Sequence, residues 1–340
     1  MVFVMGKERS GTTLLQTFLD GHPNIVAPPE SEFIVLLYPR FGHIKKWSEK
    51  NIHDFIVELY KEPWITKIWC IDREYLTSLL LSVRADADYS SICKVIYYCM
   101  CGNKENILLF SDKNPIYVLF IHTLLKIFPE AKFIPLIRDP RDNVNSHLKS
   151  FGATNTAFIA QKWLGYNTIL QRGSLKDPQR YFTVLYETMV ENTEANMKKL
   201  CEFLHVPFNE GMIHNSFPDR LKSFRNQKLL LERTREIHAN LLKPVNTSNI
   251  GKWKTQMSPG NVKIVEAITG AFASKNFNYP MAIPERNSGI AVLKIKIVYA
   301  IWQFFTRMKY RSYRFNTFYT KVNIYFGRET RVFGKALRES

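Results

Sequence analysis

The sequence predicts an α/β domain in which helices flank a central parallel sheet. Short apolar segments at residues 2–5, 107–110 and 132–137 predict strands. The first runs through a glycine loop into a helical pattern at 12–19, and a helix-like stretch at 116–128 separates the other two. Strands that alternate with helices in this way are typical of βαβ units, and 340 residues are enough to bury a substantial core.

The remaining elements are justified in chain order. Residues 31–100 have helical spacing and many aromatic side chains, so we expect a helical insertion over the sheet. Pro135 lies inside the third strand, and because proline cannot donate to a β-ladder, it argues against a central place for that strand. Residues 181–186 predict a further strand, and 187–204 a helix.

The C-terminal residues differ in charge from the rest of the chain. The formal net charge is +17, and residues 285–340 contribute +9 of it, with twelve Lys or Arg against three Asp or Glu, and twelve aromatic residues. We therefore expect a domain at 1–284 and a basic aromatic, helical extension at 285–340. Such an extension suits a polyanion or an anionic membrane face. Lys294 and Lys296 point apart on a helical wheel, which argues against a clean amphipathic helix.

The cysteines and the first five residues predict where in the cell the protein is located. Five cysteines are an odd number without zinc-ligand spacing, and we expect reduced thiols in a cytosolic setting. Residues 1–5 enter the glycine loop without a basic leader. These observations predict a cytoplasmic protein, with a peripheral membrane contact as a further hypothesis. The histidines show no metal spacing with cysteine, so no metal is expected.

The loop Gly6-Lys-Glu-Arg-Ser-Gly-Thr-Thr13 has the glycine spacing of a phosphate-binding P-loop. Thr12 occupies the place where that motif carries the lysine that reaches the β- and γ-phosphates. What remains is a set of backbone N–H groups at a helix N-terminus beside Arg9 and hydroxyl groups, which suits a single phosphate with a further anionic group. A plain glycine turn between strand and helix is the alternative.

The residues of this loop carry a family resemblance. Arg9-Ser-Gly-Thr-Thr-Leu-Leu15, followed by Leu19-Asp-Gly-His-Pro-Asn-Ile25, resembles the 5′-phosphosulfate loop of sulfotransferases that use 3′-phosphoadenosine 5′-phosphosulfate (PAPS). The similarity is greatest to the protein-tyrosine sulfotransferase branch and its bacterial relatives. The resemblance implies a sulfotransferase fold with a P-loop-kinase-like sheet, PAPS as co-substrate and adenosine 3′,5′-bisphosphate as product. It also implies phosphosulfate contacts from Arg9, Ser10, Gly11, Thr12 and Thr13.

A second element would hold the 3′-phosphate. Arg138 ends the third strand, and Ser146 lies eight residues later, about two helical turns on, which can bring both to one face at the carboxyl edge of the sheet. This string is similar to the family's 3′-phosphate element, which assigns Arg138 and Ser146 to that group. The alternative pairs Arg138 with a carboxylate and leaves Ser146 solvated. Weaker matches add Tyr186 and Lys252 to the nucleotide contacts.

The resemblance also implies the catalytic groups. Glu30 lies where the protein-tyrosine sulfotransferase branch carries its catalytic base, with Glu32 as the alternative. Lys113 resembles the lysine that hydrogen-bonds the bridging oxygen, and Arg9 would neutralise the sulfuryl oxygens. The alternative is that Glu30 and Glu32 are solvated acids and that Lys113 is a surface lysine. Two anion-binding elements are thus expected to hold opposite ends of one nucleotide.

The predicted function is transfer of a sulfuryl group from PAPS to a hydroxyl or amine of an acceptor by in-line displacement. The acceptor classes left open are glycans, lipids, small molecules and peptides, and no specific nucleic acid is expected. Two other functions stay open. One is a nucleotide kinase or NTPase with a degenerate Walker A loop, and the other is a non-catalytic anion-binding module.

Overall fold

The computed structural model describes residues 1–152, 155–214, 231–232, 239–242, 244–280 and 289–311. Its central element is a sheet of five parallel strands, and β1 lies in the middle of the order β2–β3–β1–β4–β5. The strands are β1 (Val2–Met5), β2 (Ile25–Val26), β3 (Leu109–Lys113), β4 (Lys132–Ile137) and β5 (Val184–Leu185). The predicted α/β class with a parallel sheet is confirmed.

Helices surround this sheet, and they are numbered here in chain order. They are α1 (Thr12–Asp20), α2 (Phe33–Phe41), α3 (Glu49–Leu59), α4 (Arg73–Val83), α5 (Tyr89–Tyr98), α6 (Ile121–Ile127), α7 (Pro140–Phe151), α8 (Thr156–Lys176), α9 (Tyr186–Glu191), α10 (Thr193–Leu204), α11 (Gly211–His214), α12 (Trp253–Gln256), α13 (Pro259–Phe277) and α14 (Gly289–Arg311). Short π- and 3₁₀-helical segments lie at Trp64–Trp69, Pro115–Phe120, Pro178–Arg180 and Ala239–Leu242.

Both faces of the sheet are covered, which explains why β1 is apolar throughout. Phe3 and Met5 belong to one core cluster, where the Phe3 ring lies 5.9 Å from that of Phe133. Val2 and Val4 belong to a second cluster. Successive residues of a strand point to opposite faces, so a strand buried on both sides needs an unbroken apolar run.

The place of β4 differs from the expectation drawn from Pro135. β4 lies between β1 and β5 and is not an edge strand. Pro135 falls between the isolated bridge of Phe133 with Tyr181 and the β4–β5 ladder, whose first pair is Leu136 with Val184. The residue without an N–H therefore coincides with an interruption of that ladder, and an inner strand tolerates it.

The strand predicted at 107–110 begins two residues later and continues to Lys113. Its last three residues are buried despite being polar. The Tyr97 hydroxyl donates to the Asp112 carboxylate at 2.5 Å, and burial raises the pKa of Asp112 to about 7. Apolar patterning misses this half of β3 because Asp112 and Lys113 are buried with partners from other parts of the chain.

The predicted helical insertion over the sheet is observed as α2 to α5. Aromatic rings join these helices, with the Phe33 ring 5.8 Å from that of Tyr97 and the Phe41 ring 5.2 Å from that of Phe55. The insertion belongs to the same core cluster as Phe3. It thus forms the cover over one face of the sheet.

The helix of the predicted extension, α14, packs on the domain. Tyr299 is buried against α8, where a Cβ added at Gly165 would lie 2.2 Å from the Tyr299 hydroxyl. The Tyr310 ring lies 4.8 Å from that of Phe120. Helicity is therefore observed for 289–311, whereas 285–288 and 312–340 lie outside the described residues. None of the described helices combines the length and the apolar character needed to cross a membrane.

Candidate active site

Predicted site residues follow or end four neighbouring strands, and they lie at the carboxyl edge of the sheet. Lys113 is the last residue of β3, and the loop 6–11 follows β1. Arg138 and Tyr186 come directly after β4 and β5. These strands are parallel, and β1 lies in the middle of the sheet, with β2 and β3 on one side and β4 and β5 on the other. The site residues therefore lie at the point where the strand order reverses, which is where α/β sheets bind ligands.

Two close approaches explain the glycines of the loop. A Cβ at Gly6 would lie 2.5 Å from the carbonyl oxygen of Leu136 in β4. Gly11 has a φ of 99°, and a Cβ there would lie 2.5 Å from the Tyr186 ring. Glycine is required at both positions because the backbone runs against its neighbours, and at Gly11 also because of its backbone angle.

One cavity at this edge is lined by both predicted anion-binding elements. Seven of its lining residues were predicted from the sequence, namely Arg9, Gly11, Thr12, Thr13, Arg138, Ser146 and Tyr186. The others include Asn249 and the loop residues Pro244, Val245 and Asn246. The loop after β1 and the element after β4 therefore face the same space, so one ligand can contact both.

Ser10 and Lys252 are not among the residues that line this cavity. The Ser10 hydroxyl accepts from the Asn143 side chain at 2.9 Å, beneath the loop. Lys252 donates to the side-chain oxygen of Asn249 at 2.6 Å, and Asn249 does line the cavity. These two residues thus support the cavity through a neighbour.

Arg138 is held at the cavity by backbone oxygens. Its guanidinium donates to the carbonyl oxygens of Arg9 at 3.0 Å and Asn249 at 2.6 Å, and it lies 4.5 Å from the centre of the Tyr186 ring. Within the described part of the chain, it forms no ion pair with a carboxylate, and its buried Nε has no hydrogen-bond partner. A guanidinium that lines a cavity and is not paired with a carboxylate fits an anionic ligand.

Arg9 brings a second guanidinium to the same cavity. Its Nε donates to the Ser146 hydroxyl at 3.1 Å. Burial, and then the charge of Arg138, lower the pKa of Arg9 to about 10. Two neighbouring cations in a partly buried space repel each other, so anionic groups bound beside them would be strongly favoured.

Glu30 and Lys113 form an ion pair of 2.8 Å at the end of β3, and neither residue lines the cavity. The segment before Glu30 is fixed through its backbone oxygens, since the side chain of Gln16 in α1 donates to the carbonyl of Pro28, and Trp69 donates to that of Pro29 at 3.0 Å. A carboxylate in such a fixed segment is aimed by the backbone. It is also held by the lysine at the end of β3.

The structure separates Glu32 from Glu30. The Glu32 carboxylate accepts from the Tyr310 hydroxyl and lies 3.7 Å from the ammonium of Lys309, both in α14. Between the two acids, the Ser31 hydroxyl donates to Glu62 at 3.1 Å. Burial, and then the charge of Glu32, raise the pKa of Glu62 to about 8. The sequence offered no signal for Glu62 or Tyr310, because each reaches this segment from a distant part of the chain.

A buried ionic cluster lies beneath the loop. Lys7 is fully buried, donates to His147 Nδ1 at 3.1 Å and lies 3.5 Å from Glu8, which also pairs with Lys162 at 2.5 Å. Burial lowers the pKa of Lys7 to about 8. Burial and the charge of Lys7 lower the pKa of His147 to about 3. The lysine in the loop thus points into the protein and does not line the cavity, unlike the lysine of a Walker motif.

The loop that leads into α12 is held against α7. The Asp142 carboxylate accepts from the backbone N–H groups of Gly251 at 2.6 Å and Trp253 at 2.9 Å. The Arg141 guanidinium lies 3.9 Å from the Trp253 ring centre. These contacts place Lys252 beside the Arg138 element, although 111 residues separate Asp142 from Trp253 in the sequence.

The model of the sulfotransferase family matches residues 2–210, and the chain belongs to this family. The protein-tyrosine sulfotransferase of Drosophila melanogaster is 25% identical over 273 residues, covering 77% of this chain and 48% of the relative. Protein-tyrosine sulfotransferase A of Caenorhabditis elegans is 24% identical over 74% of this chain and 60% of its own length. The bacterial nodulation protein NoeE of Sinorhizobium fredii is 24% identical over 85% of this chain and 68% of its own length. The chain spans about half of the length of the first animal relative and about three fifths of the length of the second. The predicted resemblance to the tyrosylprotein branch and its bacterial relatives is confirmed.

Solved structures show the same fold. The sulfotransferase domain of the Synechococcus PCC 7002 olefin synthase has a TM-score of 0.54 at 21% identity, covering 84% of this chain and 95% of that domain. The sulfotransferase domain of the curacin biosynthetic pathway has a TM-score of 0.55 at 21% identity, covering 83% and 98%. The described α/β fold is therefore a sulfotransferase fold.

Proposed function

We propose that this protein transfers a sulfuryl group from PAPS to a hydroxyl or amine of an acceptor by in-line displacement. One observation carries the proposal: the loop after β1 and the element after β4 line a single cavity, and each contributes an arginine to it, Arg9 and Arg138. Family membership supports sulfuryl transfer as the reaction class.

The described residues fit a donor with two separate anionic groups. Backbone N–H groups at the start of α1 and the guanidinium of Arg9 suit a phosphosulfate. Arg138 and Ser146 suit a second phosphate on the same side of the sheet. Lys7 is buried and does not line the cavity, so the loop has no lysine in the role of the Walker lysine that grips a γ-phosphate, which favours PAPS over a nucleoside triphosphate.

PAPS supplies the sulfuryl group and a phosphate as its leaving group. Glu30 accepts the proton of the attacking hydroxyl as the new sulfur–oxygen bond forms and the bond to the leaving phosphate oxygen breaks. Lys113 orients Glu30 through their 2.8 Å ion pair, and it donates a hydrogen bond to the leaving oxygen. Arg9 offsets negative charge on the sulfuryl oxygens.

Binding and transfer measurements test the donor and the reaction separately. Calorimetric titration without metal is expected to show binding of adenosine 3′,5′-bisphosphate, with magnesium-ATP binding far more weakly. Labelled PAPS is then offered with tyrosine peptides, glycans, lipid extracts and small hydroxyl compounds. Magnesium-dependent ATP binding without bisphosphate binding would instead support a kinase or NTPase. Bisphosphate binding without transfer to any acceptor class would support an anion-binding module.

Several narrower predictions belong to the same proposal. Transfer is expected to survive EDTA, because sulfuryl transfer assigned to Arg9, Lys113 and Glu30 needs no metal. Among the described residues, no group of three His, Cys, Asp or Glu is placed to hold a metal ion.

A cytoplasmic location stays a prediction, and the class of the acceptor stays open. The five cysteines all lie among the described residues and form no disulfide.

A further inference from the structure

The helix α14 has two faces of different character. Its inner face packs on the domain through Tyr299 and Tyr310, which are buried, and through Trp302, whose ring lies 4.7 Å from the Lys162 ammonium. These contacts fix the rotation of the helix about its axis. The opposite face is consequently turned towards solvent.

Four large apolar side chains form a stripe along this outer face. Leu293, Ile297, Ile301 and Phe304 are exposed by 58%, 53%, 51% and 59%. Their spacing of four, four and three residues places them on one side of a helix. Single exposed apolar residues are ordinary on a protein surface, but a continuous stripe of this kind marks a surface that binds something.

Basic residues border the stripe on both sides. At about 100° per residue, Lys294 lies beyond one margin of the stripe, with the exposed Val298 and Phe305 further round the helix. Lys296 and Arg307 lie beyond the other margin. The three basic residues are exposed. The two lysines that point apart on a helical wheel are thus the two margins of the stripe.

The charge of α14 identifies the kind of partner. Among its residues, five are Lys or Arg and none is Asp or Glu. A second copy docked through the same face would set these charges against each other, which disfavours a symmetric dimer. A nucleic acid would use the basic residues and leave the apolar stripe in water. An anionic lipid surface satisfies both features, because the stripe enters the acyl boundary and long basic side chains reach the head groups.

We propose that the outer face of α14 docks on an anionic membrane surface, with the helix axis lying in the plane of the head groups. The inner face keeps the domain attached, through Tyr310 to Phe120 and Glu32. Docking requires no nucleotide, so it can be measured independently of sulfuryl transfer.

Vesicle co-sedimentation of the full chain tests this proposal. Vesicles with roughly one third phosphatidylserine are expected to bind the protein, and phosphatidylcholine vesicles to bind it weakly, with binding to the former falling as salt rises. The double change Lys294→Gln and Lys296→Gln should lower the partition coefficient about 30-fold, because one basic residue near an anionic surface contributes roughly fivefold. The double change Ile297→Gln and Phe304→Gln should also abolish most of the binding.

Matched controls come from α13, where Lys263 and Ile264 are neighbouring exposed residues. Lys263→Gln with Ile264→Gln should leave vesicle binding unchanged. Circular dichroism melting checks that every variant folds, since the outer face of α14 makes few contacts that folding depends on. Equal binding of the α13 and α14 variants would overturn the proposal.

Three other outcomes would also overturn it. The wild-type chain could fail to sediment with phosphatidylserine vesicles. It could bind heparin but not vesicles, which would assign α14 to a polyanion. It could be dimeric by analytical ultracentrifugation without lipid and become monomeric on Ile297→Gln with Phe304→Gln, which would assign the stripe to a second copy.

Discussion

Replacing Arg138 by alanine tests the assignment of the 3′-phosphate. The guanidinium donates to two backbone oxygens, of Arg9 and Asn249, and stacks on Tyr186, while its buried Nε has no partner among the described atoms. Its position is therefore held by the protein, and the two terminal nitrogens, which carry four N–H groups, use two of them in these bonds and keep two for a ligand. Arg138→Ala removes these donors and the charge together.

The expected loss is at least that of one charge-assisted hydrogen bond to the 3′-phosphate. A hydrogen bond that involves a charged group contributes about 1.5–3 kcal/mol. At about 1.4 kcal/mol per factor of ten, the dissociation constant for adenosine 3′,5′-bisphosphate should rise roughly 10- to 150-fold. Arg138→Lys keeps the charge but loses the planar fork, so its loss should be intermediate.

The assay compares two nucleotides by titration calorimetry. Adenosine 5′-monophosphate lacks the 3′-phosphate, so Arg138→Ala should change its affinity little. The ratio of the two dissociation constants should therefore collapse in the variant. Arg180→Ala serves as the control, because Arg180 pairs with Asp177 on the surface, away from the cavity.

Two results would refute this reasoning. Equal weakening of both nucleotides would mean that Arg138 acts through the loop, by way of the Arg9 carbonyl, and does not hold the 3′-phosphate. Unchanged affinity for both would remove Arg138 from the site. Melting curves must show that the variant is folded in either case.

Three further predictions concern the loop, the base and the pH dependence of stability. Gly11→Ala should weaken both nucleotides and lower the melting temperature, because its φ of 99° strains an alanine by about 1–3 kcal/mol and the new Cβ meets the Tyr186 ring at 2.5 Å. Glu30→Gln should lower kcat about 10²- to 10⁴-fold with little change in bisphosphate affinity, whereas Glu32→Gln should have a much smaller effect. Burial and the charge of Glu32 raise the pKa of Glu62 from 4.5 to about 8, so the folded state keeps a proton that the unfolded chain releases. The free energy of unfolding should consequently fall as pH rises between these values, and Glu62→Gln should flatten that fall.

Each of these predictions has its own control or contrary result. Gly102 has a φ of 57° with nothing within 4 Å of a Cβ, so Gly102→Ala separates backbone strain from the ring contact. Nucleotide affinities that are the same in Gly11→Ala and Gly102→Ala would remove the argument from the ring. Equal transfer by Glu30→Gln and wild type would show that Glu30 is not the base. An unchanged pH slope in Glu62→Gln would mean that another buried acid, such as Asp112, causes it.

The strands β3 and β4 show how much of the sheet apolar patterning can predict. The prediction for β4 matches the structure at both ends, because its residues are buried on both faces and nearly all apolar. The prediction for β3 missed its second half, where Asp112 is buried with Tyr97 as its partner. Local sequence carries no record of such a partner, since the two residues lie in different elements.

The site residues were likewise predicted only in part. The spacing of Arg138 and Ser146 places both at one cavity, because eight residues bring a strand end and a helix face together. The matching loop motif did not reveal that Ser10 turns away from the cavity to Asn143. A motif determines which residues lie near a ligand, whereas the direction of each side chain depends on its neighbours.

The sequence by itself determined the strand–loop–helix order, the glycine loop and the family, because these depend on residues that are close together in the chain. Only the tertiary structure decided that α14 holds Glu32 through Tyr310, and that Lys7 is buried beneath the loop. It also decided that Lys294 and Lys296 border one exposed stripe, since the rotation of α14 is set by its contacts with α8 and α2. Contacts between distant residues form only when hydrophobic burial assembles the elements, so their consequences cannot be read from local patterns.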